Sequence, residues 1–434
     1  NAMRPDEASR IEGDDGSRTT PSQKKWAALR RRPRRTTILR YNKAMPRYHR
    51  LGQLPRYRHT QFRKPNGELY SEQLFSTRGF SGPMATMYHI NLPTEVAGWE
   101  DIGDVSVKFL TDEALRHRHL KTRTMPARGD ALSGRIPLMG NNDVIWYQVH
   151  VAEQMKDFYK NAEGDELLFV HNGSGVCETM FGDINFSPGD YLVIPRGTIY
   201  RMQFDSLPTM MLAIESHGPI EIPNRYRNEV GQLLEHAPYS ERDIRPPHEL
   251  KTYDQEGEFH VIVKARKRHT RYTYRFHPFD IVGWDGFCYP WAFNIKDFAP
   301  ITGKLHMPPP IHQTFHGHNF VICSFCPRIL DFHPDAIVVP YNHSNVDSDE
   351  VLYYCNDKFG SRKGIEEGSI TLHPLGIPHG PQPGAVEASI GATKTEELAV
   401  MLDTYYPLML TEQALALEDP NYWKSWQTKQ LSGV

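Results

Sequence analysis

The stretch "EEGSITLHPLGIPHG", Glu366 to Gly380, decides the fold. It carries a fixed spacing: Gly368, five residues, Pro374, one residue, Gly376, two residues, His379. Just upstream lies "SDEVLYYCND" (348–357), and the pair of segments has an earlier counterpart in "GDELLFVHNGSG" (164–175) and "SPGDYLVIPRGTIYR" (187–201). In each copy an Asp-Glu pair precedes four apolar residues, any residue, and Asn. In each copy Gly, Pro and Gly recur at the same spacing, ending on Tyr200 in the first and His379 in the second. Self-similarity of this kind predicts two like domains in tandem.

The chain around the repeat is built of short strands. "VSVKFL" (105–110), "VIWYQVHVA" (144–152), "ELLFVHN" (166–172), "YLVIP" (191–195) and "TMMLAIES" (209–216) are β-branched and aromatic, as are "HVIVKAR" (260–266), "NFVICSF" (319–325), "AIVVPY" (336–341), "VLYYC" (351–355) and "SITLHP" (369–374). Turn residues punctuate them, which predicts a β-sandwich or barrel. The strongest helical pattern is "EELAVMLDTYYPLMLTEQALALE" (396–418), broken at Pro407. The expected class is all-β with minor helices.

Composition narrows the function classes. The 434 residues include 33 Pro and 32 Gly, with 39% hydrophobic and 24% charged residues. A net charge of −2 gives no global field for nucleic acid or membrane, and no apolar run is long enough to span a bilayer. Five cysteines, an odd and sparse set, predict a reduced, cytoplasmic protein. The lone Cys323–Cys326 pair reads as two small strand residues. Asn1-Ala2-Met3 reads as a cloning remnant. Gly16 to Gly67 is free of Asp and Glu and rich in Arg, as in "RRRPRR". We read residues 1–45 as a basic, partly disordered arm.

The two-part motif resembles the cupin superfamily, whose domains are small jelly-roll barrels. His343 and Glu350 sit at the spacing of its first motif, and His379 completes its second. Two imidazoles and one carboxylate on one face leave open positions opposite, the arrangement that favours non-haem Fe(II). The acid has to be chosen from Asp347, Asp349 and Glu350. Aligning the copies puts Asp349-Glu350 on Asp165-Glu166 and selects Glu350, although Asp349 gives a spacing from His343 one residue shorter. In the first copy Tyr159, Lys160 and Asn161 stand where a histidine belongs, and Tyr200 replaces the last one. The expectation is a bicupin, two jelly-roll or β-sandwich barrels, of which only the C-terminal one binds metal. In the first barrel Glu166 then makes only a hydrogen bond or salt bridge.

From about residue 300 the chain resembles the homogentisate 1,2-dioxygenase family, in "PYNHSNVDSDE", "HPLGIPHGPQPG" and "LMLTEQALALEDPNYWKSW" (408–426); "ELYSEQLF" (68–75) matches more weakly. The resemblance implies Fe(II) on His343, Glu350 and His379, cleavage by O2 of homogentisate or a related hydroxylated aromatic acid in aromatic or tyrosine catabolism, and a trimer or hexamer. It implies His306 as acid/base, with His312 as competitor, and Tyr341 and His373 as substrate contacts. Arg362 or Lys363 would replace a pocket lysine of the family. Metal binding should weaken at acid pH, because ligand imidazoles must be neutral. The implied domains are 46–285, degenerate and metal-free, and 286–434, catalytic with C-terminal helices. Two other classes remain: a cupin isomerase or other O2-independent metalloenzyme, and a non-catalytic ligand-binding bicupin.

Overall fold

A computed structural model describes residues 47–428. The basic arm lies outside the described residues. The first barrel sets an eight-stranded sheet against a seven-stranded one. In the larger sheet Asp165–Val170 lies between Asp190–Ile194 and Thr209–Ser216; in the other, Tyr200–Phe204 neighbours Phe158–Asn161. The second barrel is built on a six-stranded sheet, in the order Gln313–Gly317, Phe320–Phe325, Ala399–Thr404, Asp349–Tyr354, Ser369–His373, Arg118–Lys121.

The sheets carrying the two Asp-Glu pairs pack back to back. Every residue of Asp165–Val170 and of Asp349–Tyr354 is buried. Alternation explains why both faces are apolar. Leu167 and Phe169 share one core with Val351 and Tyr353 between the barrels. Leu168 and Val170 turn into the first barrel, Leu352 and Tyr354 into the second. Across the seam the Phe169 and Tyr353 rings lie 6.3 Å apart, and Tyr191 meets Ser324 through a 2.9 Å hydrogen bond. Glu166 and Glu350 have the parity of the interior residues, so each carboxylate is delivered inside its barrel.

The aspartates beside them are brackets. Asp165 accepts from the Arg196 and Ile220 amides, both at 3.1 Å. Asp349 accepts from the Leu375 amide at 2.8 Å and the Leu408 amide at 2.7 Å. Leu375 follows Pro374 as Arg196 follows Pro195, so the two copies use one device. It ties the strand to the Pro-x-Gly turn, where Gly197 (φ 85°) and Gly376 (φ 72°) take the left-handed third position of a type II turn. Each of these glycines donates at 2.7 Å to an asparagine carbonyl, Asn161 or Asn345.

The halves also trade strands. Arg118–Lys121 pairs with Ser369–His373 at the edge of the second sheet, and Met409–Leu410 pairs with Arg135–Gly140 at the edge of the first. Trp291–Asn294, beyond residue 285, pairs with Asp190–Ile194 of the first barrel.

Three local expectations fail. Residues 399–404 of the helical pattern form a strand, because Ala399–Thr404 fills the gap between two sheet neighbours and is claimed by their ladders on both sides. Only Glu412–Leu415 is helical there, capped by the Thr411 side chain. Residues 105–110 and 336–341 are not strands; the former has backbone–backbone bonds only at its ends, Val105 to Lys267 and Leu110 to Leu410. Cys323 and Cys326 are free and buried, as strand-associated thiols should be.

Asp349→Ala strips one buried and one partly buried amide of their acceptor. At about 1–3 kcal/mol for each unsatisfied donor, urea unfolding should report a loss of about 2–6 kcal/mol. A loss below about 1 kcal/mol would refute the bracket.

Candidate metal centre

The Pro-x-Gly turn carries the chain back so that His379 meets His343 in an antiparallel bridge, bonded both ways at 2.8 Å. Their rings lie 4.3 Å apart. Each Nδ1 is tied to a backbone carbonyl two residues upstream, His343 to Tyr341 at 3.0 Å and His379 to Ile377 at 3.2 Å. A carbonyl only accepts, so Nδ1 carries the proton and Nε2 presents a lone pair. Both Nε2 atoms are buried and have no hydrogen-bond partner. They face Glu350 Oε2 at 3.8 and 3.5 Å.

Three lone pairs thus converge on one point, which only a cation or extra protons can reconcile. Among the described residues, this is the one group of three such side chains arranged to hold a metal ion. A metal with bonds of about 2.1 Å sets neighbouring ligand atoms about 3 Å apart, so a small inward movement closes the site. The donor set and the tied Nδ1 atoms fit a divalent transition ion. Asp349 cannot substitute, since both its oxygens are engaged by backbone amides.

The first barrel shows the same positions filled otherwise. Tyr159 pairs with Tyr200 where His343 meets His379. Tyr200 donates to Glu166 at 2.6 Å, and the buried Arg135 guanidinium forms an ion pair with the same carboxylate. Burial alone would raise the Glu166 carboxyl; Arg135 holds it below its usual range. The salt bridge expected of Glu166 is present, and its cation belongs to the protein.

The second site opens on a cleft of about 650 Å³, mouth included. His306, His312, Tyr341, His343, Glu350 and Arg362 line it, with Phe325, Leu352 and Phe359 as apolar walls. His306 anchors Nδ1 on the Val338 carbonyl at 3.2 Å, and burial lowers its pKa. His312 is more deeply buried, stacks on Phe325 at 4.5 Å, and is pushed down to about 3. Arg362 donates to Gly380 O at 2.6 Å and keeps a buried Nε without a partner.

Two expected substrate contacts sit elsewhere. His373 is fully buried behind Glu350, directly across the ladder from it, and its Nδ1 takes Glu350 Oε1 at 2.7 Å. It therefore faces the ligand carboxylate and not the cleft. Lys363 is exposed, and its ammonium is turned away to the Pro383 carbonyl at 2.8 Å. Three residues escaped sequence reasoning. His117, just ahead of the exchanged strand, packs on His373 and His379 at 5.5 and 6.2 Å. Tyr422 and Trp426 close the same wall, with Trp426 Nε1 on Gly380 O at 3.1 Å. Their i, i+4 aromatic spacing in "NYWKSW" was the available signal.

The fold and the centre define a bicupin with one metal-type site, in its second barrel. Residues 125–295 match the N-terminal domain of homogentisate 1,2-dioxygenase and residues 307–432 its C-terminal domain. The chain belongs to the homogentisate 1,2-dioxygenase family. It is 41% identical over 384 residues to a protein of Saccharolobus solfataricus that is provisionally named a dioxygenase, covering 88% of this chain and 99% of that one. Identity to the homogentisate 1,2-dioxygenase of Nitrobacter hamburgensis is 30%, over 70% of this chain and 69% of that one. For the Rhodopseudomonas palustris BisA53 enzyme of that name it is 27%, over 63% and 64%. The solved oxalate decarboxylase of Bacillus subtilis is a remote likeness, 10% identical with a TM-score of 0.32, over 73% of this chain and 88% of that one. The family implies a dioxygenase with a metal cofactor. No helix among the described residues is long and apolar enough to cross a membrane.

Arg135→Met leaves Glu166 buried without its cation, and urea unfolding should show a loss of about 3–5 kcal/mol. Adding Glu166→Gln should restore part of it; a double variant less stable than Arg135→Met would refute the pairing.

Proposed function

We propose that the protein is an Fe(II)-dependent dioxygenase that cleaves the ring of a hydroxylated aromatic acid, homogentisate or a close relative, with O2. The observation that carries this reading is the convergence of the unpartnered Nε2 atoms of His343 and His379 on Glu350 Oε2, at the base of a cleft with apolar walls. His343, Glu350 and His379 hold the iron on one side and leave the cleft side open. Iron bound there supplies the redox chemistry that lets O2 react with an aromatic ring.

The remaining roles belong to side chains. Phe325, Leu352 and Phe359 bury the ring and exclude water. Arg362, with its free Nε, takes the substrate carboxylate, where a guanidinium binds in two-pronged fashion. Tyr341, at the mouth, packs beside the ring. His306 accepts the phenolic proton at Nε2, since Nδ1 is committed to Val338, and later returns it. Its lowered pKa keeps the ring neutral and able to accept near pH 7. His312 is less suited, because its deeper burial penalises the charged form further. Both oxygen atoms of O2 end in the opened product, so no external reductant is required.

The same reading has the first barrel as a metal-free support and the second as the catalytic domain, in a trimer or hexamer, in the cytoplasm. Free thiols without a disulfide among the described residues support a reducing compartment.

Metal analysis of anaerobically prepared protein should find about one iron per chain. O2 uptake across a panel of hydroquinone-type acids should reveal a preferred substrate; silence across the panel with iron present removes the dioxygenase reading in favour of an O2-independent or ligand-binding bicupin. His379→Ala should lose the metal. His306→Ala should keep it and lose about 10²–10⁴ in kcat, the usual contribution of a general base. Metal loss in His306→Ala would overturn that role.

A further inference from the structure

Glu350 uses its two oxygens differently. Oε2 faces His343 and His379, while Oε1 is held from behind by His373 Nδ1. The other nitrogen of His373 lies 3.4 Å from the Tyr422 hydroxyl. The chain of contacts has one end of fixed character. A carboxylate can only accept, while a neutral imidazole donates once and accepts once.

The direction is then forced. His373 Nδ1–H donates to Glu350, which leaves Nε2 of a neutral ring to accept from the Tyr422 hydroxyl. The opposite tautomer would set a bare Nδ1 lone pair 2.7 Å from a carboxylate oxygen. The anion at the acceptor end polarises both bonds in the same sense. No such relay is needed in the first barrel, where Arg135 reaches Glu166 directly.

We propose that Tyr422 and His373 are positioning residues: a one-way hydrogen-bond relay from the C-terminal segment that fixes the His373 tautomer and turns Glu350 Oε2 toward the metal. This rests on the metal site proposed above. It gives His373 a role on the ligand in place of one on the substrate, and it gives Tyr422, which touches neither, a role through His373.

The test is Co(II) binding, followed by its visible absorption, to full-length protein stripped of metal. Tyr422→Phe should weaken Co(II) binding by about 10-fold, and His373→Phe by about 10- to 100-fold, the range for lost orienting partners. His373→Asn keeps a donor where Nδ1–H stood; its affinity should stay within about threefold of the wild type. In that background Tyr422→Phe should have no further effect, because a carboxamide has no tautomer to be set. The melting temperature of the metal-free Tyr422→Phe protein should match the wild type. The relay is overturned if Tyr422→Phe binds Co(II) as the wild type does, or if its loss is as large beside His373→Asn. If His373→Phe fails to fold, the Tyr422→Phe and His373→Asn pair still decides. Wild-type protein that binds no Co(II) overturns the metal site itself, and the relay with it.

Discussion

A carboxylate buried inside a barrel has to meet a cation, and both halves of this protein are organised around that requirement. Leaving water costs an isolated carboxylate several kcal/mol, which only a closely held positive charge or a proton offsets. In the first barrel the cation is covalent to the chain. Arg135 reaches Glu166, and Tyr159 and Tyr200 take the remaining ligand positions. In the second barrel no Lys or Arg among the described residues forms an ion pair with Glu350; the groups within ion-pair distance of its oxygens are three imidazoles. Two imidazoles with outward protons and inward lone pairs cannot serve as the counter-charge. The same scaffold has been closed with a guanidinium in one copy and left to be closed by an ion in the other.

The aspartates make that comparison hold in space. Asp165 and Asp349 each bind two backbone amides from equivalent positions, so the neighbouring glutamates enter their barrels at the same depth and in the same register. A one-residue slip would send Glu350 into the apolar seam between the barrels and Val351 into the site. The back-to-back packing of Leu167, Phe169, Val351 and Tyr353 forbids that slip. Stability of the seam and geometry of the site are one constraint.

Much of this was legible in the sequence because it is local. The Asp-Glu frame, the Pro-x-Gly turns and most of the β-branched runs are short-range patterns that the structure keeps. Glu350 was distinguishable from Asp349 only through the repeat, because the spacing from His343 admits either acid. What was not legible depends on partners far along the chain. Residues 399–404 carry a pattern that a helix would also satisfy, and two neighbouring strands decide otherwise. His373 has the right parity for the barrel interior, but only the cross-strand register reveals that Glu350 stands opposite and occupies it. His117 reaches the site from far upstream in the chain, through a strand exchange that no local pattern announces.

That exchange bears on how the protein is made. The edge of the first barrel's larger sheet is covered by Met409–Leu410, which leaves the ribosome long after Arg135–Gly140. Until then Arg135–Gly140 has unpaired amides and carbonyls along one side, the kind of edge that recruits strands from other chains. Arg118–Lys121, synthesised early, waits meanwhile for Ser369–His373. Neither half can finish alone during translation, and closing loops of this length is slow. The nascent chain therefore carries two open edges until those strands emerge, and a chaperone that shields them would govern its yield more than the stability of the finished fold.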